Sequence, residues 1–302
     1  MDFKIIASRG EIEKLAREVL GHQDFPPFLF SDKKYTRLVV SMSKNNYPIG
    51  MAYGVVEYGS DVFFLHFLYI HKAFRNYDNI KALLEYVFQS AKENMGVTGA
   101  VWKFISSGNS ADIDTHMQLL KDIPGCVVKD VQSTQQYRFK ADSISHLRQF
   151  KIFNPSLCLE KGYQIIRLSL CDENLMKKLC TKEDTPFNNN DKNSIDIDED
   201  NSHVFVRGDT QDPIGWIVCS VGARKEITIR HFFMYKSERA KIMAHSFASY
   251  VLDIIEHTFD YLAFDITKGN RQMEMIVKKY FVPMIDSKNI IYSLVVDFSQ
   301  IT

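Results

Sequence analysis

Apolar and polar residues alternate along the chain in short runs, then shift to a three-and-four spacing, and this succession occurs twice. In the first half, residues 3–7 (FKIIA) read as a strand and Gly10–Leu20 as a helix. Arg37–Ser43, Met51–Glu57 and Val62–Ile70 follow as strands, the last rich in aromatic and β-branched residues. Asn79–Asn94 then places Ile80, Leu83, Leu84, Val87, Phe88 and Ala91 on one helical face. Strand Gly99–Ile105, helix Ala111–Leu120 and strand Gln135–Lys140 complete the half. The second half repeats the order: 163–168 (YQIIRL), helix Asp172–Cys180, then strands His203–Arg207, Trp216–Val221 and Glu226–Tyr235. Helix Ala240–His257, strand Tyr261–Ile266, helix Arg271–Lys279 and strand Asn289–Phe298 follow. The turns Gly59-Ser60 and Gly222-Ala223 suit hairpins. The order β-α-β-β-β-α-β-α-β, twice over, predicts an α/β fold in which each mixed sheet carries helices on its faces.

The repeat has residue-level support. Pro48-Ile49-Gly50 and Pro213-Ile214-Gly215 open matching stretches, and His66-Phe67 and His231-Phe232 lie 16 residues beyond the two glycines. At this single offset of 165, His66 and His231 occupy equivalent places, sharing a side-chain face with Leu68 and Ile70 and with Phe233 and Tyr235, respectively. The expected organisation is a first domain over residues 1–145, a linker over 146–160, and a second domain over 161–302. Residues 184–201, acidic and asparagine-rich, read as a solvated loop inserted in the second domain. Asp196–Asp200 resembles the start of a calcium loop, but glycine is missing at its sixth position and Arg207 stands where the closing glutamate belongs.

Composition narrows the function classes. Lys+Arg and Asp+Glu both count 37 in 302 residues, so no global positive field exists to gather nucleic acid. No apolar run is long enough to span a bilayer, and the N-terminus lacks the apolar core of a secretory signal. The five cysteines form no CxxC pair, as free thiols of a cytoplasmic protein would. The nine histidines form no HExxH or His-x-His pattern, so no metal is expected.

The element order resembles the GNAT-type acyl-CoA N-acyltransferase superfamily, in tandem, with degenerate CoA-binding loops. In that family the segment after the fourth strand reads roughly V-x-P-x-(aromatic)-R-G-x-G-x-G/A before two leucines on a helix. Here Ile70, Phe74, Arg75, Leu83 and Leu84 fall in register, while the proline and the loop glycines are replaced. Such a loop holds the CoA pyrophosphate on main-chain N–H groups and a helix N-terminus, and glycines allow the close approach. Asp78 would face two phosphates, and Asp78-Asn79 also reads simply as a helix start. The second loop carries no acid inside it. There Tyr235, Arg239, Ala240, Lys241 and Ala244 are the candidate cofactor contacts, with Asn270 after the following strand and Arg75 from the first loop. Seven residues beyond Asn109 and Asn270, where the family places a tyrosine that protonates the departing thiolate, stand His116 and Val277.

The resemblance implies acetyl-CoA or another acyl-CoA as co-substrate and an amine of a small molecule or peptide as acceptor. His66, His231 and Glu57 are the candidate bases for the amine proton. Each also has a structural reading, the histidines as partly buried strand residues and Glu57 as a solvated hairpin residue. The alternative function is a non-catalytic tandem module that keeps the fold and has lost CoA chemistry. A transferase that draws on aminoacyl-tRNA is disfavoured by the neutral charge.

Overall fold

The computed structural model describes residues 1–20, 35–57, 59–106, 110–150, 153, 162–181, 197–222, 225–239, 243–267 and 269–301. They form two compact units, Met1–Thr134 with Asn289–Thr302, and Gln135–Lys288.

In the first unit, β1 (Asp2–Ile5) pairs antiparallel with β2 (Tyr35–Lys44), which pairs antiparallel with β3 (Tyr47–Glu57). Asn45 and Asn46 join β2 to β3 at positive φ, 52° and 65°, which asparagine tolerates better than most residues and which the right-handed strand twist requires of a two-residue turn. β4 (Val62–Ile70) continues the antiparallel meander. Helix α2 (Tyr77–Met95) then carries the chain back so that β5 (Gly99–Ser106) runs parallel to β4. Helix α1 (Arg9–Leu20) buries Ile12, Leu15, Ala16 and Val19, the apolar stripe of a 3.6-residue period, and packs against β3. On the opposite face, Leu83, Leu84, Val87 and Phe88 of α2 share a core with Ala52, Phe63, Leu65, Ala100 and Trp102. Helix α3 (Ser110–Lys121) joins α2 there: Tyr77 Oη donates to an Asp122 carboxylate oxygen at 2.6 Å.

The second unit repeats the plan. β7 (Tyr163–Arg167), β8 (Asp198–Arg207), β9 (Pro213–Val221) and β10 (Glu226–Met234) form the meander, and β11 (Tyr261–Thr267) lies parallel to β10. Helix α4 (Glu173–Thr181) contributes Leu175, Met176 and Leu179 to a core with Trp216 and Val218. Helix α5 (Met243–Thr258) contributes Phe247, Val251 and Ile255 to the core on the other face, with Ile227, Leu262 and Phe264. Helix α6 (Arg271–Ile276) leads through a wider turn, Val277–Phe281, whose Val277, Tyr280 and Phe281 are buried. Within the acidic stretch, the Asp198 carboxylate accepts from the Asp200 and Asn201 amides at the start of β8. Most of the expected loop, residues 184–196, lies outside the described residues.

Sequence alone closes each unit with its own last strand, and here the structure differs. β6 (Val127–Lys140) contributes Gln135–Lys140 to the second unit beside β11, and Asn289–Asp297 of β12 (Ile285–Asp297) belongs to the first unit. β12 pairs antiparallel with β5 from Ile290↔Ser106 to Asp297↔Gly99. Its Leu294 and Val296, with Phe298 and Ile301 beyond, complete the first core, and Phe298 stacks on Phe88 with ring centroids 5.0 Å apart. Lys92 Nζ donates to the Ser299 carbonyl at 3.0 Å and also to that of Ile301. The segment expected as a linker contributes to the second core through Leu147 and Phe153. No helix among the described residues is long and apolar enough to cross a membrane.

Candidate active site

The parallel strands of the first unit part. β4 and β5 are in register from Val62↔Gly99 to Leu65↔Trp102, and the ladder stops there although β4 runs on to Ile70 and β5 to Ser106. The parting begins at a β-bulge. On the β3 side Gly54 pairs with Leu65 and Tyr53 with Phe67, so His66 is the extra residue. Gly54 is required at this place, because a Cβ there would stand 2.7 Å from the Phe64 carbonyl oxygen. Past the bulge, main-chain groups of β4 are released from the β5 ladder and line an open fork.

The bulge also decides which way His66 faces. Phe63, Leu65, Leu68 and Ile70 point to the α2 side, whereas the His66 ring lies 6.3 Å from Tyr53 and 6.4 Å from Phe64, on the α1 side. The shared face with Leu68 and Ile70 expected from strict alternation is therefore overturned, because one inserted residue resets the parity. On the α2 side the fork is lined by Trp102 and Phe104, and His116 of α3 lies on both. Its ring stacks on Phe104 at 3.9 Å and 7°, and Nδ1 meets the Asp112 carbonyl at 2.6 Å. That contact puts the proton of the neutral ring on Nδ1 and the lone pair on Nε2. Burial, together with the Arg75 guanidinium, holds His116 below the ordinary imidazole range despite the Asp112 bond. Half-buried His66 and His116 thus flank one fork from opposite faces. His116 stood out in the sequence only by its spacing from Asn109.

The loop beyond β4 is a short helical turn, Lys72–Phe74, ended by exposed Arg75. Asn76 caps α2, its side chain accepting from the Asn79 amide at 2.9 Å, so Asp78 lies in the first helical turn. Lys72 and Arg75 are exposed beside the positive end of this 19-residue helix, a fit to an anionic group. The Asn76 carboxamide, where the family pattern has glycine, caps the helix and takes up the Asn79 N–H.

The second unit has the same fork with other residues in it. β10 and β11 are in register from Glu226↔Tyr261 to Ile229↔Phe264, and both strands continue beyond. The bulge on the β9 side falls between Ile229↔Cys219 and His231↔Val218, so the extra residue is Arg230. The β9–β10 hairpin is one residue shorter than the β3–β4 hairpin, since Val221 pairs with Ile227 where Val56 pairs with Phe63. The single offset of 165 therefore fails at this turn, and the residue equivalent to His66 is Arg230. His231 corresponds to Phe67 and is exposed. The next β11 residue past the ladder is Asp265, whose carboxylate pairs with Arg230 Nη1.

The remaining candidates fall apart in space. Glu57 pairs with Tyr35 at the closed end of the β3–β4 hairpin, four residues along β3 from Tyr53 and roughly 13 Å from the fork's start. Tyr235 is buried, donates its amide to the Ile214 carbonyl and packs its ring edge-on against Trp216 and Phe233. Ala244 packs against the α5-side core. Asn270 caps α6, accepting from the Met273 amide at 3.2 Å. Arg239 ends a single helical turn, Lys236–Arg239, and Ala240 and Lys241 lie outside the described residues. Val277, at the other tyrosine place, is buried and has no titratable group. Among the described residues, Asp253, Glu256 and His257 are grouped closely enough to hold a metal ion, but Arg148 already bonds both carboxylates, at 2.8 and 2.7 Å.

Residues 9–119 match the acetyltransferase (GNAT) family. No functionally curated protein matches the sequence significantly. Among solved structures, a tandem GNAT protein from the clavulanic acid biosynthesis pathway is similar over 97% of both chains, with a TM-score of 0.68 and 10% identity. A Drosophila protein is similar over 97% of this chain and 98% of its own, at a TM-score of 0.60 and 12% identity. A GCN5-related N-acetyltransferase from Sphaerobacter thermophilus is similar over 95% and 85%, at a TM-score of 0.52 and 10% identity. Two parted sheets of one topology, a family match across the first of them and a tandem neighbour along nearly the whole length establish the chain as a tandem GNAT-type acyltransferase fold.

Proposed function

We propose that the protein is an N-acyltransferase that moves an acyl group from acyl-CoA to an amine, and that the first unit does the chemistry. The observation that carries this reading is the β4–β5 fork, opened at the His66 bulge and flanked by His116. The thioester lies in the fork, with its carbonyl oxygen against main-chain N–H groups released from the ladder. Lys72, Arg75 and the α2 N-terminus take the pyrophosphate.

The amine approaches from the α1 side, where His66 accepts its proton directly or through water. The amine nitrogen bonds to the thioester carbon, the C–S bond breaks, and the electron pair leaves on sulfur. On the α2 side, the His116 ring, neutral at rest, takes a second proton from solvent at Nε2 and gives it to that sulfur, and His66 returns the amine proton to solvent. A ring held below the ordinary imidazole range is a stronger acid than a thiol of pKa about 8.5, so the transfer runs downhill. Much of the acceleration comes from holding amine and thioester together.

Turnover tests the reading. Purified protein with acetyl-CoA and a panel of primary amines is expected to release free thiol in proportion to N-acetylated product. Binding of acyl-CoA without turnover of any amine would favour a non-catalytic module that retains the fold.

A further inference from the structure

We infer that the second fork is latched shut by its own ion pair, so that the chain takes one acyl-CoA and takes it in the first unit. This rests on the acyltransferase reading above. At the first step past its last ladder pair, the β10–β11 fork presents Arg230 and Asp265, one from each parting strand, and their side chains join across the gap. Two further hydrogen bonds hold the pair. Arg230 Nε donates to Ser220 Oγ of β9 at 2.9 Å. Gln136 Nε2 of β6 donates to the second Asp265 oxygen at 3.0 Å. The Asp265 side chain is only 11% exposed, so a group that displaced Arg230 would leave a nearly buried carboxylate without its counter-charge.

The first unit has none of these residues. Ladder register aligns Ser220 with Val55, Arg230 with His66, and Asp265 with Lys103. An imidazole and an ammonium cannot form an ion pair with each other, and Lys103 is exposed. One scaffold thus carries a fork whose strands are tied by opposite charges and another whose mouth holds two basic groups. Arg230 also occupies the bulge, the place from which His66 faces the amine side in the first unit. A thioester entering the second fork would have to separate the pair and would meet a guanidinium, which stays protonated and cannot act as a base.

Two measurements decide this. Native mass spectrometry with a non-hydrolysable thioether analogue of acetyl-CoA is expected to count one ligand per chain at saturation. That ligand is lost in Arg75→Glu and kept in Arg230→Gln. Two ligands per chain, or one that survives Arg75→Glu and is lost in Arg230→Gln, would overturn the inference. The second measurement needs no ligand. A double-mutant cycle on unfolding, with Arg230→Gln and Asp265→Asn, is expected to show the two changes coupled by about tenfold in the folding equilibrium. Additive effects would overturn the latch. If no analogue binds at all, the acyl-CoA reading fails, and the cycle still decides whether the fork is tied.

Discussion

Removing residues 289–302 is expected to unfold the first unit and spare the second, although the deletion lies at the far end of the chain. The segment places Leu294, Val296, Phe298 and Ile301 in the first core, at 0%, 1%, 0% and 4% exposure. Burying a side chain of this kind is worth about 1.5–3 kcal/mol, so the four represent about 6–12 kcal/mol, an upper figure because an unfolded chain is already partly collapsed. Whole domains are stable by about 5–15 kcal/mol, so the loss matches the entire margin of one unit. The deletion also bares the β5 edge, including the strand that carries Trp102. The chain has two tryptophans, Trp102 in the first unit and Trp216 in the second, and both are buried. Fluorescence of Trp216→Phe and Trp102→Phe variants therefore reads the units separately. In the truncated chain Trp102 emission should shift to the red and Trp216 emission should stay in place. A red shift of Trp216 with Trp102 unmoved would refute the exchange of closing strands.

Three further outcomes are expected. His116→Phe keeps the stack on Phe104 and removes Nε2, so kcat should fall about 100-fold or more while KM changes little, and the defect should shrink with a thioester whose thiol is more acidic. Burial pushes His203 from the ordinary 6.5 down to about 4, so the folded state resists protonation that the unfolded chain accepts; stability is present above pH 6.5 and is lost as pH falls toward 4, by about 3 kcal/mol. His203→Gln should flatten that stretch of a denaturant-midpoint profile against pH. Gly54→Ala sets a methyl group against the Phe64 carbonyl and should lower stability by about 1–3 kcal/mol in thermal melts, with loss of activity because the bulge that opens the fork shifts.

Element order, the hairpin turns and most of the core were legible in the sequence because each is a local pattern. Val87 and Phe88 recur at helical spacing with Leu83 and Leu84, and all four are buried in α2. Pairing partners were less legible. Gln135–Lys140 and Asn289–Asp297 both read as closing strands, and nothing in an alternating strand states which unprotected edge it will meet. The histidine repeat misled for a related reason. His66 and His231 match at one offset in sequence, but a hairpin shorter by one residue slides β10 against β9 and brings Arg230 to the bulge. Alternation records which residues share a face only until an inserted residue resets it. The signal that could have found Arg230 and Asp265 was the length of that turn. His116 was visible by its spacing, and its stack on Phe104 was not, because that contact joins a strand to the helix beyond it.

The central claim is that the first fork receives acyl-CoA. Amide hydrogen exchange with and without acetyl-CoA tests it most directly, since β4 and β5 beyond Leu65 and Trp102 are strands without a partner ladder between them. Slower exchange in Phe67–Ile70 and Phe104–Ser106, with Ile229–Met234 unchanged, is the predicted result. Unchanged exchange in those first-unit segments at saturating acetyl-CoA, or protection confined to Ile229–Met234, would contradict it.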